Sequence, residues 1–196
     1  VEVSVNTIPF MGGKAILAYL RDVTNRKETE EELRRSVESL RASMETTVQV
    51  LALAVEARDP YTAGHQRRTT NLACAIAEAM ALPDKQKEGL RMAGPIHDIG
   101  KISIPAEILS KPGRLSPVEY ALVQSHPENG ASILRDIVSP WPLSDIVWQH
   151  HERIDGSGYP RGLSENDTMI EARILAVADV VEAMASHRPY RPALGI

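Results

Sequence analysis

Residues 150–160 read His150-His151-Glu152-Arg153-Ile154-Asp155-Gly156-Ser157-Gly158-Tyr159-Pro160. Two adjacent imidazoles close an apolar-periodic segment that starts near Leu143. Gly156 and Gly158 then make a tight turn that offers Tyr159 as a stacking face. Upstream, His97-Asp98-Ile99-Gly100-Lys101 sets another imidazole beside a carboxylate, and downstream Asp179 ends an apolar stretch. Of six histidines, five (His65, His97, His126, His150 and His151) sit in polar or helix-end contexts. A single histidine on a helix is more often a satisfied core or surface group than a ligand, but this grouping changes the reading. Imidazole with carboxylate suits Zn, Mn or Fe in a mixed nitrogen and oxygen site. The scattered spacing differs from the close pairs of a zinc finger and predicts a site assembled from several helices.

Around these residues the chain reads as helical. Of its 196 residues 43% are apolar and only 4% aromatic, so the core is built from Leu, Ile, Val, Ala and Met. Prolines at 60, 83, 105, 112, 117, 127, 140 and 142 punctuate periodic segments at 66–81, 84–97, 117–124, 127–138, 143–151 and 170–186. Ser116-Pro117-Val118-Glu119 has the form of a capping box. A net charge of −4 gives no electrostatic footprint for duplex nucleic acid. Cys74 is the only cysteine, which excludes an intrachain disulfide and fits a reducing cytoplasm. No apolar run approaches the ~20 residues of a membrane span. The chain reads as a piece of a longer protein, since it lacks an initial Met and opens inside a strand pattern; an upstream membrane anchor is compatible with it.

The N-terminal quarter is different. Val1, Val3 and Val5 alternate with polar residues, Gly12-Gly13 supplies a turn, and Ala15–Leu20 continues extended, so residues 1–22 read as two strands. From Lys27 to about Arg58 there is neither Gly nor Pro. Leu33, Val37, Leu40, Met44, Thr47, Leu51 and Ala54 alternate steps of four and three, the seam of two parallel packed helices. The alternative is one amphipathic helix folding back on its own domain, and the segment from Val48 to Val55 is expected to join the core that follows.

Two resemblances add to this. Asp22-Val23-Thr24-Asn25-Arg26-Lys27 resembles the end of a PAS sensor domain just before a signalling helix. His97–Lys101 resembles the signature of HD-domain phosphohydrolases, and residues 150–160 resemble the segment that defines their HD-GYP subfamily. Asp59-Pro60-Tyr61-Thr62-Ala63-Gly64-His65, Ser125-His126-Pro127, Ala178-Asp179 with Glu182-Ala183, and Arg188-Pro189-Tyr190-Arg191 follow in the family's order. The resemblance runs from about Val48 to Arg191.

The resemblance implies an all-α HD-domain helical bundle, preceded by a long coiled-coil helix and a short β-hairpin remnant of a PAS domain. Residues 1–25 would be the sensor fragment, 26–47 the signalling-helix linker and 48–196 an HD-GYP domain lacking its last helices. It implies a metal-dependent phosphodiesterase that hydrolyses cyclic di-GMP to pGpG or GMP. His65, His97, Asp98 and Asp179 would form one metal site, with His126, His150 and His151 completing a second and Asp98 bridging. Asp98 and Lys101 would carry catalysis, while Lys101, Tyr159, Arg188 and Arg191 would hold substrate. Gly158, Tyr159 and Pro160 would also form a docking loop for a GGDEF-domain protein. Two divalent cations are expected, Fe or Mn ahead of Zn or Ni. Some family members use a Glu where Tyr61 stands to bind a third metal, which a phenol at neutral pH does not replace. A homodimer through the N-terminal helix is expected. Rival readings are an enzyme acting on cyclic GMP-AMP or another nucleotide, and a non-catalytic regulator that binds a cyclic dinucleotide or a GGDEF partner.

Overall fold

The computed structural model describes residues 1–58 and 64–186, with the side chain of Phe10 left aside. The chain divides into two compact units, residues 1–45 and 46–196. In the first, β1 (Glu2–Phe10) and β2 (Gly13–Arg21) form an antiparallel hairpin in which Glu2 faces Arg21 and Phe10 faces Gly13. The turn falls one residue earlier than expected. Met11 and Gly12 occupy it with φ of 49° and 81°, the paired positive dihedrals that match the twist of a two-residue hairpin loop.

Helix α1 runs from Thr24 to Glu56. Asp22 Oδ1 accepts from the backbone N–H and the hydroxyl of Thr24 at 2.9 and 2.6 Å, satisfying donors at the helix start. Arg34 reaches Glu31 at 2.7 Å and Glu38 at 2.9 Å one turn to either side. The expected seam lies bare: Leu33, Val37, Leu40 and Met44 are each more than half exposed.

Among the described residues, the second unit is helix and loop, with one isolated β-bridge between Asp155 and Ser164. After the last turns of α1 come α2 (His65–Ala79), α3 (Asp84–Ala93), α4 (Ala106–Leu109), α5 (Pro117–Val123), α6 (His126–Leu134), α7 (Leu143–Gln149) and α8 (Ile170–Ala185). The segment expected as a helix over 84–97 stops at Ala93. Gly94-Pro95 tightens it into a 3-10 turn (Gly94–Ile96), and a second 3-10 turn spans Ile99–Ser103. The segment expected over 127–138 stops at Leu134, and α4 carried no periodic signal because it is a single turn. The capping box at α5 forms as the sequence predicts.

Val55, at the end of α1, belongs to the core with Ala73, Ala77, Leu90, Ile146 and Leu175. Leu90, Ile146 and Leu175 are fully buried, each contributing about 2 kcal/mol of apolar transfer free energy. α2 lies along α8, and α6 lies against α7 and the second 3-10 turn. That last contact is backbone on backbone. A Cβ on Gly100 would stand 1.9 Å from the His126 carbonyl oxygen, and one on Gly130 2.9 Å from Val147 Cγ1. No helix among the described residues is long and apolar enough to cross a membrane.

Candidate metal centre

The polar cluster forms where helix ends meet. His65 is the first residue of α2 and His126 the first of α6; His150 follows α7, and His97-Asp98 lies between the two 3-10 turns. At His97, His126 and His150, Nδ1 donates to the carbonyl three residues back, Gly94, Val123 and Val147, at 2.7, 2.7 and 2.6 Å. Each bond fixes the ring's orientation and its tautomer, placing the proton on Nδ1 and a lone pair on Nε2. His65 is held differently. Its Nδ1 faces Glu182 and its Nε2 lies 3.0 Å from Asp179 Oδ1, both carboxylates standing on one face of α8. Arg68 in turn donates to Glu182 at 2.7 Å.

The lone pairs converge. His126 Nε2 lies 3.3 Å from His150 Nε2 and 3.3 Å from Asp98 Oδ1. Asp98 Oδ2 accepts from the Lys101 ammonium at 2.7 Å and lies 3.6 Å from His97 Nε2. His97 Nε2 also stands 4.0 Å from Asp179 Oδ1 and is buried without a hydrogen-bond partner among the described residues. The His151 ring centre is 4.1 Å from that of His150 and 4.9 Å from that of His126.

This arrangement fits divalent cations. With Nδ1 protonated, His126 and His150 turn two unprotonated nitrogens toward each other, a contact that no hydrogen bond relieves. The orphaned Nε2 of His97 is a second site where a buried acceptor lacks any donor. Two triads have ligand atoms mutually within 4.8 Å: His65, His97 and Asp98, and His126, His150 and His151. Asp98 turns one oxygen toward His126 and the other toward His97, so one carboxylate addresses both triads.

Electrostatics keeps the donors ready. Burial pushes Asp98 toward its neutral form, but the Lys101 ammonium and the surrounding imidazoles hold it well below the usual carboxylate range. Asp179 is lowered too: burial raises it, but its hydrogen bond to His65 and the nearby His97 and His65 together outweigh burial. Burial above all pulls His126 down to about 4 and His151 to about 3, and drives His150 well below its ordinary value; the crowding of further imidazoles on His150 and His151, and Lys101 near His126, act in the same direction. His65 shifts the other way. Burial opposes its charge, but Asp179, Asp98 and Glu182 together raise its pKa.

The loop after His151 is pinned to the cluster. The buried Glu152 carboxylate accepts from the backbone N–H of Arg161 at 2.8 Å and of Leu163 at 2.9 Å. Gly158 lies so close to the chain at 152–153 that a Cβ would sit 2.4 Å from Arg153 N. Tyr159 is thereby stacked on His151, ring centres 4.7 Å apart at 27°. The Arg161 guanidinium lies 4.8 Å from the centre of the Trp148 ring. Lys101, His151, Tyr159 and Asp179 are the partly exposed members of the group, and they mark the side open to solvent.

The structure thus brings His65, His97, Asp98, His126, His150, His151 and Asp179 together, with Lys101 on Asp98 and Tyr159 on His151. Arg188, Arg191 and Tyr61 lie outside the described residues. Sequence reading assigned no role to Glu182, Glu152 or Gly130. The three-residue spacing from Asp179 to Glu182 was a usable signal, because it puts both carboxylates on one helical face.

Comparison with known proteins agrees with this geometry. Residues 49–196 match the HD domain family. The chain is 44% identical over 134 residues to the cyclic di-GMP phosphodiesterase PA4108 of Pseudomonas aeruginosa, covering 68% of this chain and 32% of that protein. It is 37% identical over 155 residues to the 3'3'-cGAMP-specific phosphodiesterase 3 of Vibrio cholerae, covering 79% and 34% respectively. Among solved structures, it is similar to Bd1817, an HDG"Y"P protein from Bdellovibrio bacteriovorus. The TM-score is 0.56 at 26% identity, covering 65% of this chain and 42% of that one. The chain spans about a third of the length of the two phosphodiesterases.

Proposed function

The chain belongs to the HD domain family, and from that premise we propose that it is a metal-dependent phosphodiesterase opening the ring of cyclic di-GMP to give pGpG or GMP. The observation that carries this is the buried contact of His126 and His150, two lone-pair nitrogens 3.3 Å apart beside a carboxylate that faces both triads. His65, His97, Asp98 and Asp179 would hold one divalent cation, and His126, His150 and His151 a second, with Asp98 shared. Such cations supply Lewis acidity to a water and to the phosphoryl oxygens of an in-line displacement. Fe or Mn is the first choice, with Zn or Ni next, since mixed nitrogen and oxygen ligands accept all four.

The chain's own residues do the rest. Lys101 keeps Asp98 ionised and sets a cation at the open side, where charge develops on the phosphate. Tyr159, held on His151, offers its outer face to a base. Arg188 and Arg191 suit the second phosphate, because a guanidinium fork pairs with it in two places. Relatives named for cyclic di-GMP and for 3'3'-cGAMP both match, which supports the cyclic dinucleotide class and makes cyclic GMP-AMP the second reading.

The remainder of the proposal concerns the assembly. Residues 1–25 are a PAS sensor fragment, and 26–47 are a signalling helix whose bare seam pairs with that of a second copy. The Gly158-Tyr159-Pro160 loop also serves as a docking surface for a GGDEF-domain protein. The reaction runs in the cytoplasm, where such messengers are made. The test is turnover of cyclic di-GMP and cyclic GMP-AMP by anaerobically purified protein with Mn(II) or Fe(II), products being resolved by chromatography. Formation of pGpG or GMP that is lost in His97→Ala is expected. No product from a folded, metal-loaded sample would move the reading to a regulator that binds the dinucleotide without cleaving it.

A further inference from the structure

The last two turns of α1 do more than fill the core. Val55 is 3% exposed and Ala52 8%, so this end of the helix is fixed in the second unit. From it, polar contacts reach both segments that carry the His65-His97-Asp98 triad. The Glu56 carboxylate accepts from the backbone N–H of Gly64 at 3.1 Å and of Gln66 at 3.4 Å, the residues on either side of His65. These amides belong to the first turn of α2, whose N-cap, Gly64, has no side chain to satisfy them. Gln66 is 2% exposed, and its side-chain amide faces the carbonyls of Pro95 and Ala52; two acceptors there call for the amide nitrogen, which in that orientation donates to them at 2.8 and 3.3 Å. Pro95 stands two residues before His97. Arg58 donates to the carbonyl of Ile104 at 3.0 Å, at the far end of the 3-10 turn that follows Asp98.

We propose that Glu56, Gln66 and Arg58 are positioning residues, which tie the end of α1 to His65 on one side and to His97-Asp98 on the other, and so set the geometry of that triad. None of the three faces His126, His150 or His151 through these bonds. A turn or shift delivered along α1 therefore reaches His65 and His97 directly, and the other triad only through the shared Asp98. Because a metal site loses affinity when its ligands lose their orientation, α1 controls the occupancy of the His65 site.

This inference rests on the reading of the cluster as a metal centre, but its test uses metal binding alone and is blind to the choice of substrate. Mn(II) titration, followed by calorimetry and by electron paramagnetic resonance, is compared in the whole chain and in Glu56→Gln, Glu56→Ala and Gln66→Ala. Circular dichroism and thermal melting establish that each variant is folded. The His65 site is expected to weaken by about ten- to a hundredfold, and the other site, reached only through Asp98, by much less. The loss should be larger for Glu56→Ala than for Glu56→Gln, which keeps one acceptor oxygen. His65→Ala, a ligand variant, identifies the affected site by removing it. Equal affinities in wild type and folded Glu56→Ala would overturn the proposal. So would a matching loss at both sites, which marks general loosening in place of positioning. Failure of the wild-type chain to bind Mn(II), Fe(II) or Zn(II) would instead remove the metal-centre reading beneath it.

Discussion

Asp98 is the residue on which the cluster balances. Its two oxygens face different triads, and it remains ionised although fully enclosed, because Lys101 and several imidazoles outweigh burial. Asp98→Ala is therefore expected to lose most bound Mn(II) or Fe(II) and all turnover together, read by metal analysis and a product assay. Activity retained with metal still bound would contradict the assigned role. Gly100 matters for a different reason. With the His126 carbonyl 1.9 Å from where a Cβ would sit, Gly100→Ala forces apart the segments carrying Asp98 and His126. A stability loss of about 3 kcal/mol or more is expected, measured by urea denaturation, with weakened metal binding alongside.

At the scale of elements, the cluster is a product of helix ends. Three imidazoles use carbonyls of the helical turn that precedes them as acceptors, which orients the rings and satisfies groups that a helix C-terminus leaves open. α1 presents the complementary case, an element whose apolar stripe is left exposed among the described residues. Leu40 is 67% exposed in the single chain, and a second helix would cover it. Leu40→Lys is expected to turn a dimer into a monomer in sedimentation while leaving α-helical content in the remainder of the chain unchanged. A wild-type chain that sediments as a monomer would remove the dimer from the proposal.

For the whole molecule, the titrating groups set an optimum of pH. His126, His150 and His151 have folded pKa values below the ordinary 6.5, so as pH falls below that value the unfolded chain takes up protons that the folded chain refuses. Stability then declines, by up to about 1.4 kcal/mol per pH unit for each group. His65 is raised, so its contribution is complete below 6.5 and is lost as pH rises through its folded value. The metal-free chain is therefore expected to melt highest near pH 6.5. Thermal scans with chelator from pH 5 to 8 check this, and a monotonic rise across that range would contradict it. Added Mn(II) should raise the melting temperature most at the alkaline end, where no proton competes for His65.

Much of this was legible in the chain itself. The spacing of Leu33 to Ala54, the capping box at Ser116 and the prolines marked most helices within a few residues, because these are local signals. Residues 97–101 and 150–160 pointed to the family through side chains that stand close together in sequence. What the sequence left open depends on pairs distant along the chain. Glu182 lies 117 residues from the His65 ring it orients. The approach of Gly100 to α6 has no local signature, since glycine there is neither a turn nor a cap. Helix ends at Ala93 and Leu134 were also missed, because apolar periodicity persists where the backbone tightens or stops. Composition and periodicity determined that this chain makes helices, and the grouping of its histidines and aspartates, with the family resemblance, named the candidate ligands. Only the tertiary structure decided that Asp98 faces both triads and that α1 grips the backbone around His65. Those facts follow from the packing of several helix ends into one buried space.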